Sequence, residues 1–572
     1  MIPLQDGKAS ASDSSTEIRV NGSPSFVLLL RFGGKYGKIA MIASEGGKPM
    51  GIYLNPGNEN FKKTLAGDIY VDKTEMISVT NKFIDKGNSY VCISRPRRFG
   101  KTIAGNMLAA YYSKGCDSRE LFRGLQIAGH TGFEEKLNRY NVIQIDVNSE
   151  YQNAEDKANL VKSLIQSLKR EIREGFPQVK FREDSNLAGM MLEVYIRTGE
   201  TFVIIMDEYD VLVREQVSDK LFTEYLGFLN GLFKSNTLRP AIALAYLTGI
   251  LPIVRDKIQS KLNNFREYTI LDTGELSPYV GFTAQEVRKL CDKYGMDFEE
   301  CRRWYDGYHL GEVEVYNPES VVRSMEEHAY NNYWGRTSSY EAITDRIRRD
   351  YAGTREDVVR MLGGESIEVN VTRFMNTMNG FKTKSDVFTY LMHLGYLAYD
   401  KKDEKCRIPN GEVRREWLNA IEEEPGYEMT DAIIKASEEL LKSTIKGDEE
   451  AVARALDASH IHVTSNRSYN NEDALQSAIY LAYIYALNKY TVVREMTAGK
   501  GFADVTFIPY VEGLPAMIIE LKHNKCAESA LTQIREKRYF DSLAHYHGSL
   551  LFAGVSYDEK TKEHTCRIER FE

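Results

Sequence analysis

Between residues 90 and 248 the apolar positions gather into four short, nearly unbroken runs, 90–94, 142–147, 202–207 and 241–248, with helical spacing between them. A strand that is apolar at every position is buried on both faces, and its alternation with helices predicts a mostly parallel sheet covered by helices. From about 276 to 420 such runs thin out. Helical segments at 283–294, 317–329 and 384–394 lead to a small hairpin, 397–400 with 405–408, so a helical domain with a winged-helix-like end is expected there. Residues 421–457 read as helices carrying acidic clusters at Glu422-Glu423-Glu424, Glu438-Glu439 and Asp448-Glu449-Glu450, the solvated face of a connecting bundle. A last unit follows: helix 471–488, strands 491–496, 502–509 and 516–522, helix 527–544, and strands 548–556 and 564–570. The first 49 residues stand apart, with a Ser/Asp/Gly-rich start and two β-like runs, 26–32 and 38–43, and read as an appendage.

Composition sharpens this picture in three ways. The 572 residues are several times the roughly 100–150 of one typical domain, and 42% hydrophobic with 27% charged residues describes folded protein throughout. A net charge of −8 excludes a global positive field, so any nucleic acid must be held at a local site. No apolar run approaches the roughly 18–20 residues a membrane helix needs, and the expectation is a soluble, cytoplasmic protein with no membrane partner. The seven cysteines are scattered and never spaced C-x-x-C, which fits reduced thiols. The pairs His460/His462 and His545/His547 lack the cysteine partners of a zinc site.

Two segments of the first half carry chemistry. The run Tyr90-Val91-Cys92-Ile93-Ser94 leads through Arg95-Pro96-Arg97-Arg98-Phe99 into Gly100-Lys101-Thr102 and a helix from Ile103 to Tyr112. In a phosphate-binding loop of this kind the backbone N–H groups hold phosphate oxygens, the lysine reaches the β/γ-phosphates and the hydroxyl binds Mg²⁺, which makes Gly100, Lys101 and Thr102 the candidates. The general pattern wants glycine where Arg95 stands. The second segment, Phe202 to Glu208, is a buried-strand run ending in Asp207 and Glu208, with Asp207 a candidate for the metal and Glu208 for the base that activates water. A solvated acidic turn is the plain alternative. Strand 142–147 falls between the two motifs, and the strand 241–248 ends at Thr248, placed either to sense the γ-phosphate or simply to cap the strand.

The last hundred residues hold a second constellation. In Met517-Ile518-Ile519-Glu520-Leu521-Lys522 the two-residue period puts Glu520 and Lys522 on one face. A hairpin at Glu512-Gly513-Leu514 would pair 510 with 516, set 506 opposite 520 and leave Asp504 diagonal to Glu520. An Asp, a Glu and a Lys on one sheet face suit metal-assisted phosphodiester cleavage, with Asp504 and Glu520 as Mg²⁺ ligands and Lys522 stabilising charge or positioning water. A surface ion pair across two strands is the alternative. The charges over 517–547 sum to +1, so affinity for nucleic acid would be modest and salt-sensitive.

The sequence resembles the bacterial AAA-ATPase-like proteins that often carry a C-terminal PD-(D/E)XK nuclease-superfamily domain. The resemblance runs from about Met50 onward. It rests on Ile69-Tyr70-Val71-Asp72-Lys73-Thr74, the loop S-R-P-R-R-F-G-K-T at 94–102, M-D-E-Y-D at 206–210, Leu247-Thr248-Gly249 and Leu262-Asn263-Asn264. Further on it includes Gly281-Phe282-Thr283, W-Y-D-G-Y at 304–308, Tyr316-Asn317-Pro318, I-P-N-G-E-V-R at 408–414, Gly501-Phe502-Ala503-Asp504 and Glu520-Leu521-Lys522. In that family the loop itself looks like this one, so Arg95 is no departure from it, whereas Ala503 replaces the usual proline before the first aspartate. Similar proteins look as though they begin near Met50, so residues 1–49 are expected to be either a local extension or the product of an upstream start, outside the core.

The resemblance also implies that Glu472 supplies the glutamate of the nuclease domain's first helix, and that Gln533 lies on the helix after the two strand motifs. The expected fold is α/β multidomain: a P-loop ATPase parallel-sheet core at 50–275, a helical or winged-helix-like lid at 276–420, a helical connector at 421–465 and a restriction-endonuclease-like α/β domain at 466–572. The expected function is ATP binding and hydrolysis coupled to a Mg²⁺-dependent nuclease-like domain acting on nucleic acid, by family DNA, in a local C-terminal cleft. The competing expectation is a nucleotide-controlled interaction or signalling protein whose nuclease-like domain binds without cutting.

Overall fold

The computed structural model describes residues 51–84, 86–253, 262, 264–335, 353–372, 374, 381–422, 428–463, 472–498, 501–509, 513–543, 546 and 548–571. The expectations for residues 1–49, Asn263, Glu423-Glu424, Glu512, His545 and His547 lie outside them, as do those for the side chains of His460, His462 and Glu472. The chain forms two compact units, one of 102–247 with the described residues up to 91, the other of 92–101 with 248–571.

The four apolar runs of the first half are the strands β1 (Tyr90–Ser94), β2 (Asn141–Asp146), β3 (Phe202–Asp207) and β4 (Ile242–Gly249). With β5 (Arg266–Tyr268) they form a five-stranded sheet in the order β2-β3-β4-β1-β5. The pairs β2/β3 and β3/β4 are parallel, with Asn141 opposite Phe202 and Asp146 opposite Asp207. Every residue of β1, β3 and β4 is buried, the physical counterpart of their unbroken apolar runs. In parallel sheets of this kind the loops that leave the carboxyl ends of the strands carry the chemistry.

An unforeseen feature is the docking of the segment just after Met50 on β2. Leu54 bridges Ile143, Asn55 N–H donates to Val142 O at 2.7 Å, and Asn55 Oδ1 accepts from Val142 N at 2.9 Å. Glu171, buried on the helix Leu160–Gly175, accepts from the backbone N–H groups of Ile52, Tyr53 and Leu54 at 2.8–3.0 Å. A Cβ on Gly51 would lie 2.5 Å from Glu171 Oε2, which explains the glycine. Glu171→Ala leaves three N–H groups without their acceptor. It is expected to cost the first unit about 3 kcal/mol in chemical denaturation, with Glu171→Gln intermediate.

In the second unit the expected helices are present as Ala284–Tyr294, Pro318–Glu327 and Lys384–Leu394, joined by Phe298–Tyr305. Two three-stranded sheets accompany them. The sheet β6 (Phe282–Thr283), β7 (Tyr308–Leu310) and β8 (Val313–Tyr316), in the order β6-β8-β7, was not foreseen. In the second, β10 (Ala398–Asp400) pairs antiparallel with β11 (Lys405–Arg407) as expected, and β9 (Ile367–Glu368) adds to it. The W-Y-D-G-Y segment ends the helix Phe298–Tyr305 and starts β7. Gly307 has φ +116°, and a Cβ there would strike Pro409 O. Asn410 Nδ2 closes the same contact by donating to Asp306 O at 2.8 Å.

Helices Gly411–Glu422, Glu428–Lys446 and Glu449–Val463 lead to a mixed five-stranded sheet in sequential order, β12 (Tyr490–Ala498), β13 (Gly501–Pro509), β14 (Ala516–His523), β15 (Leu550–Asp558) and β16 (Glu563–Phe571). All its pairs are antiparallel except β14/β15. The side chains of Val505, Phe507, Ile519 and Leu521 pack on one side with Leu440, Leu456 and Leu475, while Ala516, Ile518 and Ile534 pack on the other. Among the described residues no helix is long and apolar enough to cross a membrane.

Candidate functional site

The loop after β1 is held by its arginines. Arg95 is only 1% exposed, and its Nη1 donates to Ser94 O at 2.9 Å and Tyr268 O at 3.2 Å. Arg95 N–H bonds Gly249 O at 3.0 Å and Ser94 Oγ bonds Leu251 O at 2.8 Å, so the start of the loop is tied to the end of β4. The residue that departs from the general glycine pattern thus fills a buried slot between β4 and β5. Arg98 takes a left-handed φ of +68° and donates to Tyr333 O at 3.3 Å. Burial lowers its pKa, against the carboxylates of Glu319 and Glu412. Phe99 packs edge-on against Tyr308, with ring centres 5.4 Å apart. Gly100, at φ +84°, turns the chain into the helix Lys101–Tyr112. Lys101 folds back over the loop, its ammonium donating to Pro96 O at 2.7 Å and Arg95 O at 3.0 Å.

In the first unit, Thr102 Oγ1 donates to Asp207 Oδ2 at 2.5 Å, and Asp207 Oδ1 accepts from Glu208 N at 3.0 Å. The hydroxyl and carboxylate expected to share a metal are therefore brought together, and both are hard oxygen donors suited to Mg²⁺. Glu208 sits at a left-handed φ of +49° and accepts from Arg214 Nη2 at 2.6 Å. Arg214 was overlooked, although its spacing of four from Asp210 on a short helix is a readable signal. Thr248 is fully buried near the end of β4.

The C-terminal site is built where β13 and β14 part. Their ladder pairs Phe507 with Met517, Thr506 with Ile518 and Val505 with Ile519, then stops. Continued by one residue, this register sets 504, not 506, opposite 520, a two-residue correction that brings the carboxylates closer than expected. Asp504 Oδ2 takes the place of a ladder acceptor, receiving Leu521 N–H at 2.7 Å. Lys522 Nζ donates to Glu520 Oε1 at 3.0 Å, and Gln533 Nε2 donates to the same oxygen and lies 3.0 Å from Tyr539 Oη. Gln476 holds the strand from the other side, bonding Asp504 O at 2.8 Å.

Glu520 is 1% exposed and its Oε2 is buried with no hydrogen-bond partner. Burial pushes its pKa up to about 7 and the charge of Asp504 pushes the same way, while Lys522 and the backbone N–H of Asp504 oppose. A buried carboxylate oxygen lacking a donor, beside a second carboxylate, is what a divalent cation would satisfy, so the residues fit Mg²⁺. Among the described residues no three His, Cys, Asp or Glu side chains form a ready metal cluster, and Glu472 is described only as the first residue of the helix Glu472–Ala482.

Tyr539 was missed for a geometric reason. An unbroken helix 527–544 would carry it away from the face of Gln533, but the helix ends at Lys537 and Arg538, at φ +53°, turns the chain back.

A parallel sheet with a Gly-Lys-Thr helix start and an acidic strand end defines a P-loop ATPase-type domain, and the mixed sheet with Asp504, Glu520 and Lys522 defines a nuclease-type fold. Residues 56–259 match the family described as predicted AAA-ATPase, and residues 470–565 match the PD-(D/E)XK nuclease superfamily. The chain therefore carries one domain of each. It is 25% identical over 315 residues to an uncharacterized protein in the vnfD 5′ region of Azotobacter chroococcum mcd 1, a match covering 53% of this chain. The chain spans 58% of that relative's length. Solved structures similar to it include the Aeropyrum pernix ORC2 protein in ADPNP–ADP complexes, at 10% identity and a TM-score of 0.23, covering 62% of this chain and 95% of that one. The Aeropyrum pernix ORC1 protein in complex with DNA matches at 10% identity and a TM-score of 0.21, covering 86% of this chain and 99% of that one.

Proposed function

We propose that the chain binds and hydrolyses ATP and uses that cycle to control a Mg²⁺-dependent nuclease acting on DNA. The nuclease half is carried by one observation: the unpartnered, buried Glu520 Oε2 beside Asp504 and Lys522. Mg²⁺ held by Asp504 and Glu520 would draw charge from the scissile phosphate and activate water. Lys522 stabilises the charge that builds on that phosphate, while Gln533 and Tyr539 fix the Glu520 carboxylate.

In the ATPase half, Gly100 and Lys101 receive phosphate, Thr102 and Asp207 hold Mg²⁺, Glu208 activates water and Thr248 senses the γ-phosphate. Lys101 must then exchange its loop carbonyls for phosphate oxygens. The lid has bonds with which to relay such a change. Tyr308, the first residue of β7, rests on Phe99 of the loop, and Glu300, on the helix Phe298–Tyr305 that precedes β7, accepts from Trp304 Nε1 at 3.0 Å and from Thr491 Oγ1 of β12 at 2.7 Å. The domain division at 50–275, 276–420, 421–465 and 466–572 and a cytoplasmic setting, consistent with seven free cysteines, are part of this reading.

Mg²⁺-dependent cleavage of DNA, measured with and without ATP, tests the proposal. Lys101→Ala is expected to abolish ATP hydrolysis and the ATP dependence of cleavage, and Glu520→Ala to abolish cleavage while ATP hydrolysis persists. ATP hydrolysis without cleavage in the parent protein would support instead a nucleotide-controlled module that binds DNA without cutting it.

A further inference from the structure

The turn after β3 pairs the proposed base with a buried cation. Glu208 stands at φ +49°, which sharply turns the chain before the short helix Val211–Arg214. Tyr225 fixes this turn by donating its hydroxyl to Tyr209 O at 2.8 Å. One helical turn after Asp210, Arg214 spreads its fork over two carboxylates, Nε to Asp210 Oδ2 at 3.1 Å and Nη2 to Glu208 Oε2 at 2.6 Å.

The three side chains differ in burial. Asp210 is 1% exposed and Arg214 8%, so they form a fixed pair, whereas Glu208 is 28% exposed and has room to leave. A carboxylate oxygen that already accepts a guanidinium N–H is a weaker acceptor for the O–H of an attacking water. The effect of the bond is to hold Glu208 back.

We infer that Arg214 is a positioning residue that restrains Glu208, with Asp210 as its anchor, so that the enzyme hydrolyses ATP slowly until Glu208 is released. The inference rests on the ATPase reading of this site and adds a built-in brake to it. The brake is distinct from loading of the phosphate loop, because none of its three residues lies on that loop.

The test is steady-state ATP hydrolysis by the full chain. Lysine has a single nitrogen and cannot span both carboxylates, so Arg214→Lys keeps a cation beside Asp210 and frees Glu208. The double variant Asp210→Asn with Arg214→Gln removes the pair without leaving a buried charge unpaired, and serves if the first variant folds poorly. Both are expected to raise kcat by about tenfold with KM for ATP unchanged. A merely structural role would lower kcat together with melting temperature, and unchanged or reduced kcat in folded protein would overturn the brake. Glu208→Gln separates the two readings. If it abolishes hydrolysis while the Arg214 variants stay at the parent rate, the brake alone fails; if hydrolysis survives it, the base assignment and the brake fail together.

Discussion

Glu520→Gln is expected to reduce Mg²⁺-dependent cleavage on the order of a thousandfold while making the metal-free protein more stable at pH 8. The two effects have one origin. Burial, with Asp504 beside it, raises the Glu520 pKa from 4.5 to about 7, so above that pH the folded protein carries a charge that its surroundings disfavour. The sign follows from proton linkage. A folded pKa above the unfolded one means stability that is full below about 4.5 and is lost as pH rises through about 7. Glutamine has no such proton to lose. Its gain over the parent at pH 8 should be about 2 kcal/mol, discounted because Lys522 stays beside the parent's carboxylate. Denaturant unfolding of chelator-treated protein at pH 5 and pH 8 reads the difference directly. A variant less stable than the parent at pH 8 would mean that Glu520 is there to pair with Lys522, and retained cleavage would remove it from the site.

The parallel core was legible because strands buried on both faces are written as unbroken apolar runs, and Phe202 to Asp207 and Ile242 to Gly249 keep that form in the structure. The sheet β6-β8-β7 was not, since strands of two to four residues are too short for a period of two to show. The C-terminal site was legible in kind but not in register. Alternation alone placed Glu520 and Lys522 together, whereas the offset between β13 and β14 depends on their turn, which spacing does not settle. Local conformation hid the remainder. The left-handed residue Arg538 brings Tyr539 to Gln533, and the left-handed Glu208 brings its own carboxylate to Arg214 six residues on, contacts that neither a helical nor a strand period contains. The W-Y-D-G-Y segment, whose aromatics were open to a reading as lid core, buries Trp304, Tyr305 and Tyr308 and also meets the phosphate loop through Tyr308.

Glu412 in the I-P-N-G-E-V-R segment yields the largest expected loss of stability. Its carboxylate is fully buried and accepts from Tyr333 N and Trp334 N at 2.8 Å and from Ser320 Oγ at 2.9 Å. Alanine would strand two backbone N–H groups and a hydroxyl in the lid, at a cost of about 4 kcal/mol in unfolding free energy. Glutamine keeps the oxygen that faces Tyr333 and Trp334, and its amide can donate to the Ser320 hydroxyl, so Glu412→Gln should cost about 1 kcal/mol or less at neutral pH. Burial outweighs these donors and pushes the Glu412 pKa from 4.5 up to about 7. The stability it contributes is therefore full below about 4.5 and declines as pH rises through about 7, a slope the Gln variant lacks. Unfolding of parent and Glu412→Gln from pH 4.5 to 8 should show the parent's advantage at the acid end shrinking steadily. Parallel curves would show that Glu412 remains ionised throughout and that its N–H donors, rather than burial, set its charge. Since Tyr333 also accepts from Arg98, loss of this carboxylate should loosen the phosphate loop as well, and ATP affinity in Glu412→Ala is expected to fall along with its stability.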